Sequence, residues 1–591
     1  MSRARHVESP RAGSRSALLI AAALAAVLQI SCLGMPAPRA PSSAPPVTVS
    51  AYATGKGGAV ASAEPAATEA GLEILKAGGD AVDAAVAVAL ALAVVHPQAG
   101  NLGGGGFAVV KTGDEVSTLD FRETAPAAAR RDMYLDRDGK KIADASWVGP
   151  LAAAVPGSPD GLFELHRRFG RLPWSRVVVP ALRLAQDGFD VTPRLRAALD
   201  EERDSLARYP ESAAVWLVGG KPPEPGTHLR LPDLAATLAA YGAKGPEAIN
   251  RGTVAAAIVS ASRSHGGVLT AGDLASYHPV WREPLRFRVF GWEVAAMRLP
   301  SSGGLILAES AGLLERLGWE RLPRFGVERA HLMIESWRRA YADRFLLGDP
   351  STTHADAPDL LSSAWLDTRA AGIDRARATP SAAVEPRPVP AAAESAETTH
   401  LSIIDDRGDL VALTTTLNGW FGCYLNVPGA GFFLNNEMDD FTTAPGLPNA
   451  FGLIQGEANA VAPGKRMLSS MSPTIAWRGG EEIALGSPGG SRIPTATLQV
   501  LLDLTVDGEA LLEAVTRPRL HHQWLPDQVV VEEGALAPEA AAELERRGHR
   551  LRGADWRIGE VDVVRRRPDG ALEAAADPRG PGGAGVVDPG R

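Results

Sequence analysis

Hydrophobic positions change period along this chain, and the change divides it. Residues 64–97, EPAATEAGLEILKAGGDAVDAAVAVALALAVVHP, predict two helices broken at Gly78-Gly79. The second is apolar almost all round, which predicts a buried helix. A glycine-rich loop and two short strands follow in GNLGGGGFAVVKTGDEVSTLDFRETAP, residues 100–126. Residues 150–345 read as mainly helical, with Pro and Gly interruptions. Residues 376–397, ARATPSAAVEPRPVPAAAESAE, have no period and predict a mobile segment. The period then becomes two: THLSIID and LVALTTTLN alternate around DDRGD, a hairpin signal. GAGFFLNNEMDDF, SPTIAWRGGEEIALGSPGGSR and DQVVVEEG read as further strands and turns, and residues 496–515 as a helix. A mixed α/β assembly is expected, with a seam just before Thr398.

The first 46 residues stand apart. Arg3, Arg5, Arg11 and Arg15 precede an apolar run, SALLIAAALAAVLQISCLG, residues 16–34. Basic residues before a short Ala-rich run predict an export signal, hence a periplasmic or extracellular protein. A membrane anchor is the alternative, since about 18 apolar residues span a bilayer. A lipid anchor on Cys32 is the third, though Gln29 departs from the aliphatic residue usual in a lipobox. MPAPRAPSSAPP follows as a disordered linker, and folding is expected to begin near Val47. The whole chain of 591 residues has the balance of a globular protein, with 45% hydrophobic and 22% charged residues. A net charge of -9 argues against a nucleic-acid partner, which would demand a basic stripe. Two cysteines, Cys32 and Cys423, do not make a disulfide framework.

Which residues carry chemistry? The four glycines at 103–106 lack the G-K-[ST] of a phosphate loop, so close backbone approach or positive φ explains them better. No H-E-x-x-H and no Cys/His cluster suggests zinc, and no cofactor is expected. The seam is more suggestive. A threonine hydroxyl needs a base, and cleavage before Thr398 would create one. The new α-amino group, with a pKa of about 7.7 to 8.0, would sit on the same residue. On its own, a Thr at a strand start is an ordinary β-former.

The ordered set TTHLS, TTTLN, LNNEMDDF, LSSMSPTI, GSPGGSR and HHQWLPD resembles the small subunit of γ-glutamyltranspeptidases, which are N-terminal-nucleophile hydrolases. NLGGGGF, DFRETAP, PSSGG, SYHPVWREPL and AYADRFLLGDP resemble the large subunit, and the likeness runs from about residue 50 to ADPRG near 580. The resemblance implies a four-layer αββα sandwich. It implies self-cleavage between Glu397 and Thr398, a large subunit of 47–397, a small catalytic subunit of 398–591, and a heterodimer of the two. Thr398 would be the nucleophile and Thr416 its positioning partner. Gly489 and Gly490 would form the oxyanion hole. Arg122, Ser469 and Ser470 would hold a substrate carboxylate, for which a planar guanidinium is suited. Asn418, Glu437 and Asp440 would hold the ammonium. Glutathione and other γ-glutamyl compounds are the implied donors, and water, amino acids or dipeptides the acceptors. The acids of NNEMDDF argue against the alternative, a glutaryl- or cephalosporin-type acylase, because a chain lacking the amine would leave them unpaired. His400, His521 and His522 lie in these motifs and are expected to be structural.

Two places depart from the pattern. TTAPGLPNAFGLI, residues 442–454, resembles a lid loop, with Phe451 where a tyrosine is common. Losing that hydroxyl removes a polar latch to Asn418 and should favour hydrolysis over transfer. Gly419 and Trp420 replace smaller polar residues, and Cys423 falls nearby.

Overall fold

A computed structural model describes residues 49–353, 359–384, 398–444 and 446–588. The expectations for residues 1–46, for 385–396 and for Glu397 fall outside the described residues.

Two seven-stranded antiparallel sheets form the centre. The first has the order Gly583–Val586, Gly58–Ser62, Thr399–Asp405, Leu410–Thr416, Gly105–Thr112, Glu115–Asp120, Val280–Arg282. The second runs Tyr52–Gly55, Leu572–Ala575, Asp562–Arg566, Glu481–Gly486, Thr474–Arg478, Trp292–Ala296, Leu285–Val289. The period-two pattern decides what each face meets. Ile404, Leu410 and Ala412 of the first sheet pack on Ala295, Ile475, Ala484 and Val564 of the second. Leu401, Ile403, Val411 and Leu413 point the other way, onto the helices Pro65–Lys76 and Ala81–Val95. Ile483, Leu485 and Val563 point away from the first sheet, onto Gly303–Arg316, Val327–Arg344 and Ile493–Thr505. The result is the αββα sandwich.

The helix Ala81–Val95 is buried at every position, as its all-round apolarity requires. Asp80 accepts the Val82 and Asp83 N–H groups and Asp83 accepts the Asp80 N–H, so three backbone donors are satisfied. A buried polar cluster lies between the sheets. His400 shares hydrogen bonds with Thr414 Oγ1 at 2.8 Å and Ser402 Oγ at 3.0 Å. Burial pushes its pKa down to about 3, so it is a neutral structural ring. It also explains Gly486, where a Cβ would lie 2.4 Å from His400 Cε1.

Three regions differ from the sequence reading. Residues 280–296 hold three strands inside a stretch read as helical; Leu285–Val289 and Trp292–Ala296 form a hairpin, while Val280–Arg282 pairs with Thr118–Asp120 and Trp292–Ala296 with Thr474–Arg478, far along the chain. The helix expected over 496–515 is two, Ile493–Thr505 and Leu511–Thr516, broken where Gly508 takes φ 65°. Residues 376–384 are pinned rather than loose. Thr379 N–H donates to Glu335, Ser381 N–H to Asp527, and Trp524 Nε1–H to Ser381 O. Captured backbone polar groups hold this segment, and no hydrophobic period reports them.

Candidate active site

Strand pairing brings the two threonines together. Thr399 pairs with Thr415 across the hairpin, so Thr398 and Thr416 face each other at its open end. Their hydroxyl oxygens are 3.5 Å apart, long for an O–H···O bond. Thr398 is only 5% exposed. Thr416 Oγ1 accepts the Asn418 N–H at 2.7 Å. Asn418 has φ 78°, and Phe421 and Tyr424 are also left-handed, at 58° and 68°. Three such residues in one short loop mark stored backbone strain, the kind that clusters at functional sites.

The glycine-rich loop fixes this end of the sheet by close approach. A Cβ on Gly103 would lie 1.9 Å from Phe433 O, and one on Gly104 would lie 2.0 Å from Thr416 O. None of residues 103–106 has positive φ. Asn101 Nδ2 donates to Thr416 O at 2.8 Å, and Asn101 Oδ1 accepts the Gly104 N–H at 2.9 Å.

On the second sheet, the strand Glu481–Gly486 runs into the turn Ser487–Gly490, which leads through Gly490–Arg492 into the helix Ile493–Thr505. Gly489 and Gly490 take φ 126° and 53°, conformations that favour glycine. Gly490 lines the cavity just ahead of the N-terminus of the helix Ile493–Thr505.

One small cavity, of about 20 Å3, is lined by Thr398, Thr416, Asn418, Arg122, Glu437, Asp440, Phe451, Ser469, Ser470 and Gly490. Gly489 lies behind them, on a neighbouring cleft. Thus all the expected site residues that are described meet around one cavity, except Gly489.

The charges meet one another in the unliganded chain. Arg122, expected to hold a substrate carboxylate, is ion-paired with the acids expected to hold an ammonium. Its Nη1 is 2.6 Å from Glu437 Oε2 and its Nη2 2.5 Å from Asp440 Oδ2, with Glu123 Oε2 at 3.7 Å. Burial works to lower the Arg122 pKa, but these acids outweigh it and hold it above its usual value. Burial pushes Glu437 well up and Asp440 up, against the pull of Arg122. It pushes Glu123 up to about 7. Arg344, also buried, is pushed down to about 10 despite the pull of Asp440.

Glu123 and Arg344 were not singled out by sequence reasoning. Both sit inside quoted motifs, DFRETAP and AYADRFLLGDP, which was the available signal. Arg344 Nε donates to Ser302 Oγ at 3.0 Å, and Ser302 Oγ donates to Ser469 O at 2.7 Å. PSSGG is therefore a bracket for the serine pair; a Cβ on Gly303 would lie 2.1 Å from Ser472 Oγ. Ser469 Oγ accepts the Met471 N–H at 3.1 Å. Phe451 is buried, with its ring edge-on to Trp147 at 6.1 Å, and Asn449 beside it donates to Asp440 Oδ1 at 3.1 Å. His521 and His522 lie outside the cavity: His521 shares a hydrogen bond with Thr495, and burial pushes the His522 pKa down to about 4. Among the described residues no group of three His, Cys, Asp or Glu has metal-binding geometry, and no helix is long and apolar enough to cross a membrane.

A family model described as Gamma-glutamyltranspeptidase matches residues 67–587. The glutathione hydrolase proenzyme of Escherichia coli is 40% identical over 570 residues, covering 94% of this chain and 97% of that protein. Acylase ACY 1 proenzyme of a Pseudomonas species is 36% identical, over 89% and 92% of the two chains. Among solved structures, cephalosporin acylase from Bacillus halodurans superposes with TM-score 0.79 at 26% identity, covering 94% of this chain and all of that one. A family match across most of the chain and a relative of this identity and coverage establish that the chain belongs to the γ-glutamyltranspeptidase family.

Proposed function

We propose that this protein is an exported γ-glutamyltranspeptidase and glutathione hydrolase, periplasmic or extracellular, that cleaves itself between Glu397 and Thr398 into a heterodimer. What supports the reading is the convergence of Thr398, Arg122, Glu437, Asp440 and Gly490 on one buried cavity. Relatives named as proenzymes are consistent with a processed precursor.

The charge cluster fits a zwitterionic head. Its carboxylate would take Arg122 from the two acids, and its ammonium would take the acids from Arg122. Each ion released from one partner gains another, so no charge is left bare in the buried site. A γ-glutamyl compound carries such a head, with the scissile amide at the end of its side chain. The α-amino group of the cleaved Thr398 takes the hydroxyl proton as Oγ1 attacks the γ-carbonyl. The Gly489–Gly490 turn receives the oxyanion. The C–N bond breaks, the leaving amine takes the proton, and a γ-glutamyl ester stays on Thr398. Water or an amine then attacks the ester, and Thr398 recovers its proton.

An acylase reading has relatives behind it, Acylase ACY 1 among them. Against it stand Glu437 and Asp440, which an acyl chain without an amine would leave paired only to Arg122 and blocking the cavity. The test is denaturing gel and N-terminal sequencing of purified protein, then assays on γ-glutamyl and glutaryl p-nitroanilides. A fragment beginning TTHLS, with activity on the γ-glutamyl compound, is expected. An uncleaved chain, or activity on the glutaryl compound alone, would overturn the proposal.

A further inference from the structure

Two histidines from opposite sides of Thr398 in the sequence meet outside the cavity. His331 sits on the helix Val327–Arg344, and His549 follows the helix Pro538–Arg546. Both are buried, and His331 Nδ1 lies 2.8 Å from His549 Nε2.

Their partners fix where the protons are. His331 Nε2 lies 2.8 Å from Asp374 O, a carbonyl, so this nitrogen carries a proton and donates it. In a neutral ring His331 Nδ1 then accepts, and His549 Nε2–H is its donor. That leaves His549 Nδ1 bare: it is buried, with no hydrogen-bond partner among the described residues. A proton added at His549 Nδ1 finds no acceptor. One added at His331 Nδ1 drives the His549 proton from Nε2 onto the same bare nitrogen. Either way a buried N–H is left unpaired. A second proton sets N–H against N–H across the contact.

The surroundings work the same way. Arg338, Arg547 and His522 face the pair, and Glu335 is the acid that faces it. Glu335 is already engaged by Arg338, Arg339 and the Thr379 N–H. Burial pushes the His549 pKa down to about 3 and the His331 pKa down as well, with Glu335 pulling against it.

The pair holds a stretch of backbone. His331 grips Asp374 O. Arg547, two residues before His549, accepts the Ala378 N–H with its carbonyl at 2.7 Å and donates from Nη1 to Arg375 O at 2.8 Å. We infer that the His331–His549 pair is an acid-released joint: when neutral it clamps residues 374–379 between the helices Val327–Arg344 and Pro538–Arg546, and uptake of a proton frees them. The joint stands apart from the γ-glutamyl reading and from any cut before Thr398, so either can fail without the other.

The sign follows from the depressed folded values. The clamp is fully present above the ordinary histidine value and is lost as pH falls below it. One proton refused by the closed joint, and taken by the open one at a pKa of about 6.5, raises the opening constant about thirtyfold at pH 5.

Hydrogen exchange of the full protein at pH 7.5 and pH 5, corrected for intrinsic exchange rates, reads this opening. Protection of the Ala378 and Thr379 N–H groups is expected to fall about thirtyfold between the two. In His549→Gln the new amide donates to His331 Nδ1 when that ring is neutral. It turns to accept from it when the ring is charged. The fall should then shrink to less than about fivefold. Thermal melting at pH 7.5 checks that H549Q folds, and His331→Gln makes the same exchange from the other side if it does not. Equal protection at both pH values in the native protein would overturn the inference. So would an undiminished fall in the variant, or a fall of the same size throughout the chain.

Discussion

Replacing Arg122 by glutamine tests the buried charge cluster directly. Arg122 is 1% exposed and stands against Glu437, Asp440 and Glu123. R122Q keeps most of the volume and removes the cation. Three buried carboxylates are then left with Arg344 as the nearby cation. Breaking a buried pair by removing one partner costs about 3–5 kcal/mol. Unfolding entropy of about 2.1 cal/mol/K per residue, over a unit spanning residues 47–591, is about 1.1 kcal/mol/K. The expected loss in Tm at pH 8 is therefore about 3–4 °C. The carboxylates can escape the penalty by binding protons, which fixes the sign of the pH dependence. Glu123, Glu437 and Asp440 have folded pKa values raised above their usual ones, with Glu123 at about 7. Stability from such groups is fully present below the unfolded carboxylate range, and is lost as pH rises through the folded values. R122Q pushes those values further up, so its deficit should shrink to about 1 °C by pH 5. Calorimetry or fluorescence melting at pH 5 and pH 8 reads both numbers. The triple change Arg122→Gln, Glu437→Gln, Asp440→Asn removes most of the orphaned charge and should recover at least half of the loss at pH 8. A deficit under 1 °C at pH 8, or one that does not change with pH, would refute the reasoning.

Other consequences are more local. Gly104→Ala puts a methyl 2.0 Å from Thr416 O and 2.8 Å from Asn101 Oδ1, so the strand end must move; kcat/KM should fall about a hundredfold with a stability loss of about 1–3 kcal/mol, read by kinetics and melting. Phe451→Tyr restores a hydroxyl to the lid loop and should raise the transfer-to-hydrolysis ratio about threefold, the size of one hydrogen bond; an unchanged ratio in a product assay would show that the hydroxyl is irrelevant. Cys423 is buried and its thiol is pushed up to about 12, so iodoacetamide at pH 8 should leave it unmodified in the native protein and alkylate it in urea, as peptide mass mapping would report.

Much of this protein was legible along the chain because its reasons are local. The period-two runs at 399–405 and 410–416 set both the hairpin and the faces its residues present, so the pairing of Thr398 with Thr416 follows from sequence alone. The all-apolar run at 81–95 could only be a buried helix. The motif strings named the residues of the candidate site, and those described stand around one cavity, with Gly489 on the cleft behind it. What the sequence could not hold are relations between distant segments. The strands at 280–282 and 292–296 are strands because edges far along the chain accept their hydrogen bonds, which local propensity does not report, and 285–289 pairs onto the second of them. Residues 376–384 lack any period, yet Glu335, Asp527 and Trp524 hold their backbone. The motifs gave Arg122 and the acids of 437–440 opposite charges to face; only the folded chain decided that they face each other. That outcome is set by burial: in a site this buried, charges separated by more than three hundred residues of sequence are stable only when they meet.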